Sequence, residues 1–164
     1  MNLAAEAPQW LALLLIGLLI IAAVEDAIRL RISNWTCLAI LTAALAAIAL
    51  VGPQIALWQN ALVFVGLLAI GTPLFAAGKM GGGDIKLLAV TGLWYHLMGA
   101  LLMLATVMIA GGILALGIIG VRTINWSDRT RGRSKLLKRG GGIPYGVAIS
   151  AGAIITLALA RGWG

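Results

Sequence analysis

The sequence predicts an all-α integral membrane protein with six transmembrane helices and both termini outside the cytoplasm. Of its 164 residues, 62% are hydrophobic and only 10% are charged, whereas about a quarter of the residues in a typical soluble domain are charged. Uncharged segments long enough to cross a bilayer alternate with short basic segments. The number of uncharged segments and the positions of the basic residues together give the six-helix topology.

The uncharged segments set the positions of the helices. No Asp, Glu, Lys or Arg occurs in residues 7–24, 32–78, 87–121 or 140–160. A membrane-spanning helix needs about 20 residues, so the second and third segments each hold two spans. They divide near residues 52–60 and at the aromatic cluster 94–96, which is typical of a membrane interface. We therefore predict one transmembrane domain over residues 1–164, with spans at roughly residues 8–26, 35–51, 58–77, 84–95, 97–121 and 143–160.

The basic residues set the orientation of these helices. Eleven of the twelve Lys and Arg residues fall in three clusters, at residues 29–31, 79–86 and 122–139. Because basic loops face the cytoplasm, the short fourth segment must cross the membrane for all three clusters to share that side. Segment 122–139 is then a basic cytoplasmic loop that lies on lipid headgroups, not a nucleic-acid site. The first span has no basic segment before it and is predicted to be a retained anchor.

Residue counts exclude several kinds of site. Cys37 is the one cysteine, so the chain forms no internal disulfide and no cysteine-based zinc site. His96, the one histidine, belongs to the aromatic cluster and is expected to be an interfacial belt residue rather than a ligand. We therefore predict no metal and no cofactor.

The segment at residues 79–86, Lys-Met-Gly-Gly-Gly-Asp-Ile-Lys, is the most unusual polar segment of the chain. A carboxylate near a bilayer is costly and is seldom without a function. Gly81, Gly82 and Gly83 carry no Cβ, so another chain can approach Asp84 closely, which suits a site that holds an extended peptide. The structural alternative is a turn between helices in which Asp84 caps the next helix.

Two adjacent acids, Glu25 and Asp26, lie at the end of the first predicted span. Glu25 and Asp26 lie about 100° apart on a helix, so at most one of them faces a given neighbour squarely. The structural alternative for Asp26 is a local ion pair with Arg29, three residues later. Ser33 and Asn34 are typical of the N-cap of the second span.

These acids converge on one side of the predicted membrane topology. Three of the five acidic residues lie at cytoplasmic ends of spans. Two carboxylates brought within a few ångströms cannot both ionise readily, so such a pair shares a proton. One carboxylate can then deprotonate a water while the other protonates a peptide carbonyl, which is the chemistry of an aspartic protease.

Three segments resemble the type IV prepilin peptidases, which are integral-membrane aspartic proteases with a Gly-x-Gly-Asp motif, and in particular their small Flp (tight-adherence) pilus branch. Residues 81–88, Gly-Gly-Gly-Asp-Ile-Lys-Leu-Leu, match the second-aspartate motif. Residues 26–34 match the first-aspartate segment, although Ser33 replaces the proline of the Ile-Pro-Asn that is frequent in the family. Residues 143–149, Ile-Pro-Tyr-Gly-Val-Ala-Ile, match the start of the last helix.

The resemblance implies an aspartic endopeptidase that removes the leader from Flp-like prepilins at the cytoplasmic face of the bacterial inner membrane. It implies Asp26, rather than Glu25, and Asp84 as the catalytic pair. The implied partners are the prepilin precursor and membrane lipids, without nucleic acid. Other residues of the matching segments are expected to bind substrate or shape the site: Gly81, Gly82, Gly83, Lys86, Asn34, Pro144 and Tyr145.

Larger members of this family also methylate the new N-terminus, with an extra domain that carries paired cysteines. This chain has neither feature, so we expect no methyltransferase activity. Two alternatives remain. A preflagellin-type or other membrane aspartic protease would use the same pair of acids on another substrate, although the signal-peptide-peptidase type usually shows a Tyr-Asp pair, whereas Glu25 precedes Asp26 here. A small transporter would use acids nearer the middle of the membrane.

The six-span topology can be tested with reporter fusions. A reporter fused after Arg133 should lie in the cytoplasm, and one fused after Gly164 should lie outside, because one span separates the two positions. Finding both reporters on the same side would exclude the topology and the shared face of the two aspartates.

Overall fold

A computed structural model describes residues 1–52, 54–123 and 142–163, and within these ranges the chain is all-helical, as predicted. The described residues contain no strand. Most of the basic segment 122–139 lies outside the described residues. In chain order the seven described helices are α1 (Leu3–Glu6), α2 (Gln9–Arg29), α3 (Asn34–Val51), α4 (Leu57–Ala76), α5 (Gly82–Gly92), α6 (Leu97–Thr123) and α7 (Tyr145–Arg161).

Four of these helices, α2, α3, α4 and α6, are long and apolar enough to cross a membrane. Helix α7 is also apolar, with 17 residues, and α5 has 11. The outward surfaces are strongly hydrophobic: on α6, Ile109, Ile113 and Leu116 are 64%, 67% and 72% exposed. A soluble protein rarely exposes apolar surface on this scale, whereas lipid tails cover it without cost. The chain is therefore a multi-pass membrane protein.

The connection between α2 and α3 is fixed by residues within and beside it. Ser33 is the N-cap residue of α3, as its sequence context predicts, and its hydroxyl accepts a hydrogen bond from the Trp35 N–H at 3.2 Å. The Glu25 carboxylate accepts two more, from the Ser33 N–H at 2.9 Å and the Thr36 hydroxyl at 3.0 Å. Glu25 thus helps satisfy the free donors at the start of α3 and holds the turn against the end of α2.

Helix α7 packs between α2 and α6, while the short helix α5 contacts α3, α4 and α7. The residue that allows close packing of α6 and α7 is Gly152, because a Cβ there would lie 2.5 Å from the Val107 backbone nitrogen. Next to this contact the Thr106 hydroxyl bonds the Gly152 carbonyl oxygen at 3.0 Å and the Thr156 hydroxyl at 2.9 Å. Small residues and short polar bridges of this kind are how membrane helices associate tightly.

The aromatic cluster at residues 94–96 differs from its prediction. Trp94 and Tyr95 are 0% exposed, so they are core residues and not an interfacial belt. The reason is that α1 covers this end of the bundle: the Ala4 N–H bonds the Trp94 carbonyl oxygen at 2.9 Å, and Leu3 is fully buried. The Tyr95 hydroxyl finds its partner inside the protein, the Ala153 carbonyl oxygen at 2.9 Å.

The contact at Gly152 predicts a stability difference between two similar substitutions. Gly152→Ala should lower the thermal unfolding midpoint in detergent, at a cost of roughly 1–3 kcal/mol, because the methyl group meets backbone that cannot move cheaply. Gly112→Ala on α6 is the matched control, since a Cβ there meets nothing within 4 Å. Equal midpoints for the two variants would contradict the close approach of α6 and α7.

Candidate active site

Asp26 lies near the end of α2 and is turned into the protein, with 4% of its surface exposed. Its Oδ2 accepts a hydrogen bond from the Gly146 N–H at 2.6 Å. No Lys or Arg among the described residues forms an ion pair with it, and Arg29 is exposed. The local Asp26–Arg29 pair, considered as an alternative from the spacing, is therefore absent from the described part of the chain.

The hydrogen bond to Asp26 gives an acceptor to an N–H group at the start of α7 that would otherwise lack one. The first N–H groups of any helix lack partners within the helix, and the N-cap residue here, Pro144, has no polar side chain to supply one. Gly146 is buried, so its N–H has no water to bond. Asp26 supplies the acceptor from another helix, and its negative charge is favoured at a helix N-terminus.

Asp84 is the third residue of α5, in the first turn. Its carboxylate lies close to Gly81, the N-cap residue of the same helix: a Cβ on Gly81 would lie 2.7 Å from the Asp84 Oδ2. A side chain at this position of a helix can reach back to the N-cap amide. The position of Asp84 is thus compatible with the structural alternative, a cap on α5, and the same residue also lines a cavity.

Both aspartates line one cavity of about 200 Å³. Its wall is completed by Gly81, Gly82 and Gly83 and by residues 30–32 of the α2–α3 connection. The volume corresponds to several water molecules at about 30 Å³ each, enough for one residue of an extended peptide or for water. The two carboxylates and the three glycines predicted to meet at a site thus surround the same space.

The other predicted site residues lie around this cavity rather than in its wall. The Lys86 Nζ donates to the Asn34 Oδ1 at 2.9 Å, which ties α5 to the start of α3. Pro144 is buried beside Gly146, and Tyr145 is 47% exposed. The structure therefore brings Lys86 and Asn34 together as a bridge between helices, and it places Pro144 and Tyr145 at the start of the helix whose amide binds Asp26.

Sequence reasoning did not single out Ile32 or the amide of Gly146. A Cβ on Gly146 would lie 2.8 Å from the Ile32 Cδ1 and 2.9 Å from the Asp26 Oδ2. Gly146 could have been identified from its place in the Ile-Pro-Tyr-Gly segment, and Ile32 from its place in the Ile-Ser-Asn of the first-aspartate segment. In the described ranges no three His, Cys, Asp or Glu side chains come together in a way that could hold a metal ion.

The hydrogen bond between Asp26 and Gly146 predicts that the negative charge of Asp26 can be removed without destabilising the protein, provided that the new side chain can still accept this bond. Asp26→Asn keeps an amide oxygen that can accept from the Gly146 N–H, so the unfolding midpoint should change little. Asp26→Ala leaves that buried N–H without a partner and should cost about 1–3 kcal/mol, seen as a lower midpoint in detergent. Equal stability of the Asn and Ala variants would show that Asp26 does not support α7.

Comparison with protein families shows a match to the type IV leader peptidase family over residues 13–116. The matched region is more than half of the chain and contains both Asp26 and Asp84. Comparison with curated proteins found no match, and neither did comparison with solved structures. On the extent of the family match, this chain belongs to the type IV leader peptidase family.

Proposed function

We propose that this protein is an aspartic endopeptidase with Asp26 and Asp84 as its catalytic pair. Membership of the type IV leader peptidase family makes the chain a protease. The observation that supports the choice of residues is the single cavity of about 200 Å³ that both carboxylates line. A pair of carboxylates facing one space can hold a water between them and share one proton, which is what peptide hydrolysis requires.

The surroundings of the two acids favour different roles for them. Asp26 accepts a hydrogen bond at the N-terminus of α7, which stabilises a negative charge on its carboxylate. Asp26 is therefore the group that takes a proton from water as the water oxygen bonds to the substrate carbonyl carbon. Asp84 gives its proton to the carbonyl oxygen. The resulting diol collapses when the peptide nitrogen takes the proton now on Asp26 and Asp84 takes a proton from a diol hydroxyl. The C–N bond then breaks, and both acids are back in their starting state.

The glycines next to Asp84 suit an extended peptide. Gly81, Gly82 and Gly83 form one wall of the cavity and present backbone without side chains. An extended substrate must lay its own backbone close to the enzyme, and residues without Cβ permit that approach. The shape of this wall supports a polypeptide substrate over a small molecule with bulky groups.

The position of the site supports hydrolysis at the cytoplasmic face of the membrane. Asp26 lies in the last turn of α2, close to Arg29 and Arg31, and Asp84 lies in the first turn of α5, between Lys79 and Lys86. Basic residues mark the cytoplasmic side, so six crossings with both termini outside would place the cavity at the cytoplasmic surface of a bacterial inner membrane. Helix α5, at about 16 Å for 11 residues, is short for a crossing and relies on the helices around it.

We propose Flp-like prepilins as the substrates, with cleavage of the leader and no methylation of the product. The three segments resemble the small prepilin peptidases and not the larger, methylating members of the family, which supports both the substrate class and the absence of methylation. A preflagellin would present similar chemistry to the same cavity. A transporter is less well supported, because both acids lie near helix ends and not on broken helices in mid-membrane.

The catalytic pair is tested by cleavage of a Flp-type prepilin, whose leader ends in Gly before an apolar helix, by the purified protein in detergent. Asp26→Asn and Asp84→Asn should each lower kcat/KM by roughly 10³-fold or more, and the double variant should be little worse than either, because the pair acts as a unit. Glu25→Gln is the matched control. It should retain most activity, since Glu25 bonds the start of α3 and does not line the cavity.

Serine-directed reagents and chelators should leave the wild-type rate unchanged if the pair alone performs the chemistry. Each variant is first checked for normal insertion and unfolding midpoint. Substantial cleavage by well-folded Asp26→Asn or Asp84→Asn protein would exclude the aspartic mechanism with this pair of residues.

A further inference from the structure

Ile32, on the connection between α2 and α3, lies between two glycines from distant parts of the chain. A Cβ on Gly146 would lie 2.8 Å from the Ile32 Cδ1, and a Cβ on Gly83 would lie 3.2 Å from the Ile32 Cβ. Real Cβ atoms rarely approach other atoms this closely, so α5 and the start of α7 both pack tightly against Ile32, and a Cβ at either glycine would require a shift of its neighbours. Ile32 also lines the cavity of the two acids.

Each of these glycines is tied to one of the two aspartates. Gly146 donates its N–H to the Asp26 Oδ2 at 2.6 Å. Gly83 immediately precedes Asp84 in the first turn of α5. The two backbone segments that carry or bind the carboxylates therefore both contact Ile32, the start of α7 at its Cδ1 and the start of α5 at its Cβ and backbone. The size of the Ile32 side chain thus affects how these segments are placed relative to each other.

The backbone leading to Ile32 is held in an unusual conformation. Leu30, the C-cap residue of α2, has φ +53°, and among the described residues no other non-glycine residue has a positive φ. A residue with a Cβ pays conformational energy in this region, and such residues persist where the surrounding structure requires them, frequently at functional sites. Here the turn at Leu30 sends residues 31 and 32 back along the wall of the cavity.

We propose that Ile32 is a positioning residue that sets the separation of the Asp26 and Asp84 carboxylates. This inference rests on the proposed function of that pair. Ile32 touches the segments that hold the acids and acts on the reaction through them. A side chain of the wrong size would leave both acids present but misplace one relative to the other, and a misplacement of about 1 Å can cost roughly 100-fold in rate.

The experiment compares shortened side chains at two isoleucines in the same prepilin assay. Ile32→Val removes the Cδ1 that faces Gly146 and should lower kcat by roughly tenfold, and Ile32→Ala by about 100-fold, with KM changed much less. Ile40→Val is the matched control. Ile40 is fully buried on α3 and does not line the cavity, so the variant loses the same methyl group and should keep the wild-type kcat.

The width of the pH profile of kcat/KM separates positioning from general packing, because it reports how strongly the two carboxylates interact. The shorter side chain of Ile32→Val should let the two carboxylates approach each other and so broaden the pH profile of that variant. The pH profile of Ile40→Val should stay unchanged. The basic residue that lines the cavity beside the pair is Arg31, and the start of α7 binds Asp26.

A second pair of variants tests the contact itself. Gly146→Ala should lower kcat, because its methyl group meets Ile32 and Asp26, and adding Ile32→Val should restore part of that loss by removing one of the clashing atoms. If Ile32 is only a core residue, the two losses multiply instead. Wild-type kcat and pH profile in Ile32→Val would overturn the inference while leaving the catalytic pair intact, whereas activity in Asp26→Asn would overturn the proposed function first.

Discussion

The hydrogen bond from the Gly146 N–H to the Asp26 carboxylate, at 2.6 Å, is the contact on which the site depends. A buried acid in a membrane protein is costly unless a donor compensates it, and a buried helix N-terminus is costly unless an acceptor does. Each group supplies what the other lacks, across 120 residues of chain. The contact requires glycine at position 146, because a Cβ there would collide with Ile32 and Asp26. One bond thus joins α2 to α7 and fixes one of the two acids.

The long helices could be predicted from the sequence because uncharged runs in a membrane protein are read directly from composition. Their arrangement could not. A helix that is apolar all round gives no indication of which face meets lipid and which meets protein. Trp94 and Tyr95 illustrate this: their residue types are typical of an interface, but α1 covers them, and that four-residue helix is too short for any periodic signal.

The sequence predicted the acids and glycines of the site better than their partners. Asp26, Asp84 and Gly81–Gly83 stand out because charged residues and glycine triplets are rare in so apolar a chain. The Gly146 N–H does not stand out, since a backbone donor has no residue type, and the matching segment that contains Ile32 gives no sign of its contacts with Gly83 and Gly146. The choice of Asp26 over its neighbour has a physical reason that the sequence only suggested: Glu25 is occupied at the start of α3 by Ser33 and Thr36.

The packing of α5 along α4 explains how a helix of only 11 residues can hold Asp84 in place. At one end the Asn60 Nδ2 bonds the Leu93 carbonyl oxygen at 2.9 Å, and at the other a Cβ on Gly82 would lie 3.3 Å from the Phe75 ring. Because Phe75 is the penultimate residue of α4, the start of α5 is level with the end of its longer neighbour. Asp84 therefore lies at an end of the bundle, which favours a site open to a polypeptide from the aqueous side over an acid in mid-membrane that serves ion transport.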